Sequence, residues 1–475
     1  MQKLLTSQVF LGAALLAVTF CGGATAQAQE PRSPAKEYLP LIEGRNDQEN
    51  GQPQATDLRP DDRPLTGVQE TTLGTQEMRH SYWLPGFQYA NLARSSPVNQ
   101  PAVTNWNSTS YLTGNLSVLD AWSHAQLSMN YSGGGALSTD TSFGNSYFHQ
   151  FGLTQTFDWQ RFKLQFIDQF SYLPETQFGF GGLTNLALPG VGGPITPPAT
   201  GLQNNFTPNQ SILASVGPRY SNSLVAQVVY ELSRRASITA AGSYGLLRFV
   251  DPGNINSDDV IGNLGFNYEL TRIDTLGVLY RFSGYQFSGN PQRINDHAIN
   301  LAYGRKVTGR LALRLFGGPD FITFRVPILN SSGRLSASGG AALTYLTARS
   351  GFFLNYNHGV SNGSGVLVGS TTDQISGTLT RHLGQVWSAN INFGYARNNS
   401  IFQTTTQKLP NFDSYFAGGG LDRPLGRNAI FSLSYTAYIQ GTAQQVCSPG
   451  SCIGTTTVHQ IAMGFVWHTR PYVIR

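Results

Sequence analysis

Charge is scarce in this 475-residue chain: Asp, Glu, Lys and Arg together make up 12% of it, about half the ~25% usual for soluble domains. Lysine almost vanishes, supplying five of the 31 basic side chains. The arginines that supply the rest are scattered and form no run or stripe, which argues against a nucleic-acid-binding surface. Long hydrophobic runs are also missing. Beyond the extreme N-terminus no stretch of ~18 apolar residues occurs, so no spanning helix is expected. Cysteine is limited to Cys21, Cys447 and Cys452, and no histidine cluster accompanies them, so neither a metal centre nor a cofactor is expected. A Gly-x-Ser-x-Gly nucleophile elbow is absent, and the eight histidines offer no evident partner for a nucleophile; an enzyme is not expected.

What is present is glycine (53 residues) and aromatic side chains (12%), in a chain whose mean hydropathy is −0.19. Near-neutral hydropathy with little charge fits strands whose lipid-facing residues alternate with residues facing a water-filled interior.

The N-terminus reads as a secretory signal over 1–26, with Lys3 as the positive region and an apolar stretch from Val9 to Phe20. Cleavage is expected after Ala26 or Ala28, both preceded by small-x-small patterns. Phe20 is too bulky to precede a lipidated cysteine, so Cys21 leaves with the signal. Residues 27–81 are rich in Gln, Pro, Asp, Glu and Thr without a period, and are read as a disordered periplasmic segment.

From residue 82 to 475 the pattern has a period of two. Trp387, Ala389, Ile391, Phe393 and Tyr395 alternate with Ser388, Asn390, Asn392 and Gly394. Leu264, Phe266 and Tyr268 alternate with Asn263, Gly265 and Asn267. His459, Ile461, Met463, Phe465 and Trp467 alternate with Gln460, Ala462 and Gly464. The runs have the ~9–11 residues a tilted membrane strand needs. A soluble sheet would carry Lys and Glu on its wet face; here that face carries Asn, Gln, Ser, Thr and Gly. Connections alternate between tight, often Arg-bearing turns and longer Gly/Ser/Asn/Pro loops, among them 174–218, 288–293, 326–334 and 441–455. The reading is an all-β, transmembrane antiparallel meander β-barrel of about 18 strands, 16 being the alternative, with turns periplasmic and loops outside. Asp168 breaks the pattern by falling on the parity of Phe166 and Phe170, which suggests a bulge or a rim position.

Several stretches carry a family resemblance: Phe170-Ser171-Tyr172-Leu173-Pro174-Glu175, Phe178-Gly179-Phe180-Gly181-Gly182, Gly242-Ser243-Tyr244-Gly245-Leu246-Leu247, Asn392-Phe393-Gly394-Tyr395-Ala396-Arg397-Asn398 and the tail Phe465-Val466-Trp467-His468. Through them the span 82–475 resembles the poorly characterised porin-like β-barrels of Gram-negative outer membranes. The resemblance implies outer-membrane insertion and passive passage of small hydrophilic solutes. It implies outer-membrane lipid, lipopolysaccharide and the barrel-insertion machinery as partners, and it admits a homotrimer. It names no cofactor and no nucleic acid. The alternative is an export channel or scaffold tied to cell-surface polysaccharide. One departure from the pattern is that Trp467 is followed by eight more residues, ending at Arg475.

The third outer loop, 174–218, is the longest, and from Leu183 to Phe206 it is apolar and uncharged. Left in water such a segment would be costly, so it is expected to fold into the barrel and narrow it. Glu231, Glu269, Arg281 and Arg314 have lumen parity; their mixed signs argue against a strongly ion-selective ring. They are expected to act as wall-bracing ion pairs or as a transverse field at a constriction. Cys447 and Cys452 flank Ser448-Pro449-Gly450-Ser451 and are expected to form a small disulfide loop in an oxidising compartment.

Overall fold

The computed structural model describes residues 63–69, 81–95, 106–139, 145–173, 202–212, 218–250, 252–308, 310–326, 329–384, 386–402, 411–442 and 456–474, together with short ladders at 59–60, 73–74, 446–448 and 451–453. The signal segment, most of 27–81 and Leu183 lie outside the described residues.

Eighteen strands follow one another in chain order. The first six are β1 (Tyr82–Ser95), β2 (Trp106–Ala121), β3 (Ala125–Ser138), β4 (Ser146–Asp158), β5 (Phe162–Leu173) and β6 (Arg219–Ser233). The next six are β7 (Ala236–Phe249), β8 (Ser257–Glu269), β9 (Asp274–Phe287), β10 (Asn290–Thr308), β11 (Leu311–Val326) and β12 (Leu329–Leu346). The last six are β13 (Ser350–Ser361), β14 (Ser370–Leu383), β15 (Trp387–Ser400), β16 (Phe412–Pro424), β17 (Ala429–Thr442) and β18 (Thr456–His468). Each pairs antiparallel with the next, and β18 pairs back onto β1 from Gln460↔Arg94 to His468↔Gly86, closing the barrel. After β18, Tyr472–Val473 lies against Trp83 and Tyr82 of β1 as a short extra strand. The 18-strand reading of the sequence is therefore the observed one.

The alternation sorts side chains as expected. On β6, Leu224 and Tyr230 point outward while Val225, Gln227 and Val229 are buried inside. Because the outer face carries Leu, Val, Ile and aromatic residues on every strand, water is a poor solvent for it, and the barrel belongs in a bilayer.

A repeated device marks the outer edge of that belt. In seven hairpins an outward tyrosine on a rising strand hydrogen-bonds a polar side chain on the next strand: Tyr89–Ser110, Tyr131–His149, Tyr244–Asp258, Tyr280–His297, Tyr356–Asp373, Tyr395–Asp413 and Tyr435–His459. In each pair the polar residue stands opposite the position two after the tyrosine, so the phenol leans along the strand toward the outer rim. A ring that is apolar in its body and wet at its tip suits the bilayer interface. On β8 the inner-side Tyr268 and the level of Tyr244 are eight residues apart, roughly 26 Å of strand at ~3.3 Å per residue. With a tilt of ~40° this gives about 20 Å of belt between ring centres, near the ~25 Å expected of such barrels.

Two expectations are corrected. The segments 288–293 and 326–334 are mostly strand: only Ser288 and Gly289 separate β9 from β10, Gly289 at φ 75°, and β12 already begins at Leu329. These hairpins project beyond the membrane, where both faces are wet and the alternation that marks a membrane strand has no reason to persist. Asp168 sits on an unbroken ladder with no bulge, on the outward face, where Asn222 donates to its carboxylate at 2.8 Å.

Candidate functional site: the occupied lumen

Among the described residues, three pieces of chain enter the barrel. The first is Arg63–Gln69, in which Leu65, Thr66, Val68 and Gln69 are buried. Its backbone is held by the wall: Thr66 N–H donates to Asn267 Oδ1 at 3.0 Å, and Val68 N–H donates to Gln227 Oε1 at 2.7 Å. The wall is made of glycine where the segment touches it. A Cβ on Gly265 would overlap the Thr66 side chain, and one on Gly304 would stand 2.8 Å from Leu65 Cδ1. Gly265 and Gly304 lie toward the ends of β8 and β10 nearest the short turns, so the segment occupies the half of the lumen on the short-turn side.

The second piece is the returning arm of the third loop, Leu202–Ile212. Leu202 bridges Gln69, Gln203 N–H donates to Val68 O at 2.9 Å, and Gln203 Nε2 donates to Gly67 O and Gln69 O at 2.8 and 3.1 Å. Phe206, 1% exposed, closes a small core with Val68, Ile167, Val225 and Ile261. The arm then crosses the interior. Asn357 Nδ2 of β13 donates to Asn205 Oδ1 at 2.7 Å, and Asn209 Nδ2 donates to Ser361 Oγ and Thr372 Oγ1 at 3.0 and 3.2 Å. Ser211 exchanges hydrogen bonds with Asn398 of β15 at 2.9 and 3.1 Å, and its carbonyl accepts from Tyr438 of β17 at 3.5 Å. Anchored on β5, β6 and β8 at one end and on β13 to β17 at the other, it spans the barrel.

The third piece is the turn Asn362–Gly369 between β13 and β14, whose Ser364 adopts φ 56°. Asn362 Nδ2 donates to Ser257 Oγ at 3.0 Å, Ile255 N–H donates to Gly365 O at 2.7 Å, and Ser364 Oγ accepts from Ser211 N–H at 3.1 Å. It lies across the outer side of the arm.

Between the arm and the wall remains a cavity of ≈ 30 Å³, lined by Asn205, Asn209, Asp259, Asn357, Asn362 and Gln374 among others. That is about the volume of one water molecule. Asp259 is 2% exposed and its Oδ1 has no hydrogen-bond partner among the described residues.

Of the residues singled out from sequence, Phe206 is at the inward fold of the third loop. Arg281 and Arg314 are buried and point inward. Arg281 Nη2 is 3.6 Å from Asp296 Oδ2, and reaches toward Gly359 of β13. Arg314 stacks over Phe316, its guanidinium carbon 5.1 Å from the ring centre. Glu231 and Glu269 are exposed, at the ends of β6 and β8 beside the short turns, and do not meet Arg281. Cys447 and Cys452 are directly opposed in backbone register. The sequence reading missed Arg63–Gln69, Asp259, Asp296 and Asp320. The three carboxylates had the right parity on β8, β10 and β11, but they fall where those strands were read as ending in outer loops or had not been traced.

No protein-family model matches the chain, and no curated protein matches it. Among solved structures it is similar to OpdK of Pseudomonas aeruginosa with vanillate, at 10% identity over 82% of this chain and 99% of that one, TM-score 0.42. It is also similar to OccK2 (OpdF) of the same organism, at 8% identity over 82% and 98%, TM-score 0.42, and to OccAB3 of Acinetobacter baumannii, at 9% identity over 82% and 99%, TM-score 0.41. Likenesses this distant carry no argument, and the assignment rests on the barrel itself. A closed ring of 18 antiparallel strands with an apolar, tyrosine-rimmed exterior and an interior of amides and hydroxyls is the architecture of a membrane-spanning β-barrel.

Proposed function

We propose that the barrel is a narrow, selective channel for small hydrophilic solutes, and not a wide general pore. The observation that carries this reading is the arm Leu202–Ile212, which crosses the lumen held by side-chain amides and hydroxyls of β13, β14 and β15. An apolar plug would repel polar solutes. A bridge held by Asn205, Asn209 and Ser211 presents donors and acceptors that a hydroxylated or zwitterionic solute can replace one for one, at a net ~1 kcal/mol or less for each exchange. The inward Arg281, Arg314 and Asp296 give the passage both signs of charge, which favours solutes that carry both signs or none.

The test is conductance of the full purified chain in planar bilayers, paired with swelling of liposomes in amino acids and sugars of graded size. Small single-channel steps and a sharp size cutoff are expected. A large, unselective conductance would overturn the reading. So would a barrel that stays silent alone and conducts only with a periplasmic partner, which would instead favour the export channel or scaffold.

A further inference from the structure

The outer wall carries a groove separate from the lumen. Above the tyrosine row, this groove of ≈ 640 Å³ opens on the outward face of β7 to β11, with Val260 and Phe282 on its lower walls and Arg293 and Arg325 on its upper lip. Below it the wall thins. Gly242 and Gly262 are directly paired, and a Cβ on either would meet nothing within 4 Å. Gly284, paired with Val260, lines the groove itself beside the tip of the Phe282 ring.

The lip is electrostatically unfinished. Arg293 of β10 and Arg325 of β11 are direct cross-strand partners, both exposed. No carboxylate pairs with either among the described residues, whereas neighbouring Arg248 is held by Asp258 at 2.5 Å. Like charges placed opposite each other in a sheet repel, and an anion between two guanidinium forks reverses the sign of that interaction. Arg293 lies four residues beyond His297, the hydrogen-bond partner of Tyr280, about 13 Å along the strand at ~3.3 Å per residue. With a tilt of ~40° that is roughly 10 Å above the tyrosine row, at the depth of lipid headgroups.

We propose that this face binds one molecule of the phosphorylated glycolipid of the outer leaflet: a lipopolysaccharide phosphate between Arg293 and Arg325, with an acyl chain lying in the trough over Gly262 and Gly284. Charge complementarity selects the headgroup, and the continuity of the groove with the glycine trough below selects a lipid over a free ion.

The experiment uses the full-length barrel in detergent, the double variant Arg293→Gln/Arg325→Gln, and Gly262→Trp, which fills the trough. Binding is read by native mass spectrometry with deep-rough lipopolysaccharide, the same lipid after phosphatase treatment, phosphatidylglycerol and inorganic phosphate. Retained heat-modifiability on gels and unchanged conductance show that both variants are folded. The wild type is expected to hold one lipopolysaccharide, with a tenfold or greater loss in the double variant, a comparable loss for the dephosphorylated lipid, and a loss for Gly262→Trp. Inorganic phosphate is expected not to compete. Equal binding by wild type and double variant, or of phosphorylated and dephosphorylated lipid, overturns the proposal. Competition by phosphate with no effect of Gly262→Trp would make this a site for the free ion, and preference for phosphatidylglycerol would make it a site for phospholipid; either outcome also overturns it.

Discussion

Phe206 is the place where the crossing arm can be loosened without touching the barrel wall. Its ring is 1% exposed and packs on Val68, Ile167, Val225 and Ile261. Truncating a fully buried phenylalanine in a dry core costs ~3–5 kcal/mol. In a lumen, water can enter the space left behind, so the transfer value of roughly 2–3 kcal/mol is the better guide. The replacement Phe206→Ala should therefore shift the balance between docked and released arm by about 30- to 140-fold, at ~1.4 kcal/mol per decade. The far end remains tied through Asn209 and Ser211 to Ser361, Thr372 and Asn398. The expected result is thus intermittent wide openings and not a permanently open pore. Asn398→Ala releases that other end. Because the two anchors sit on opposite walls, their effects should add in the double variant. The assay is single-channel recording, with the ratio of open to closed dwell times as readout. If Phe206→Ala and the double variant conduct with the wild-type step size and open fraction, the arm is not what narrows the channel, and the proposed reading fails.

Three further expectations follow from other parts of the lumen and rim. Gly265→Val leaves no room for the Thr66 side chain, so Arg63–Gln69 should leave the barrel; conductance should rise and the N-terminal region should become cleavable by protease from the periplasmic side, and unchanged cleavage would refute the docking. Arg281→Gln strands the buried Asp296 without its 3.6 Å partner, which typically costs ~3–5 kcal/mol; urea unfolding should shift to lower denaturant, Arg281→Gln/Asp296→Asn should recover most of the loss, and a single variant as stable as wild type would show that the pair braces nothing. Cys447 and Cys452, opposed in backbone register, should resist alkylation until reduced, and labelling of both without reductant would exclude the bridge.

Much of the barrel was legible because a membrane strand is a two-sided object in two solvents. Trp387 to Tyr395 and His459 to Trp467 advertise themselves through that contrast, and counting them yields 18. Where the contrast ends, so does the signal: the projecting hairpins around Ser288-Gly289 and Leu329 were read as loops because water wets both of their faces. The inward fold of the third loop was foreseeable from its want of charge around Phe206. Its path was not, because it is set by amides on β13 and β15 more than 150 residues away, such as Asn357 and Asn398. Arg63–Gln69 left no trace at all. It has too few residues for a period, and its burial is dictated by Asn267 and Gln227, whose distance along the chain hides the contact. The Tyr–His and Tyr–Asp pairs are visible in the sequence only once the register is known.

The seam of the barrel joins its parts most distant in sequence. Beyond Trp467, Val473 is zipped to Tyr82, the first residue of the first strand, past the ladder that pairs β18 with β1. Until that seam forms the sheet has two bare flanks, each a template for mispairing. A chain that lacks β18 keeps both flanks and cannot close a ring around the lumen.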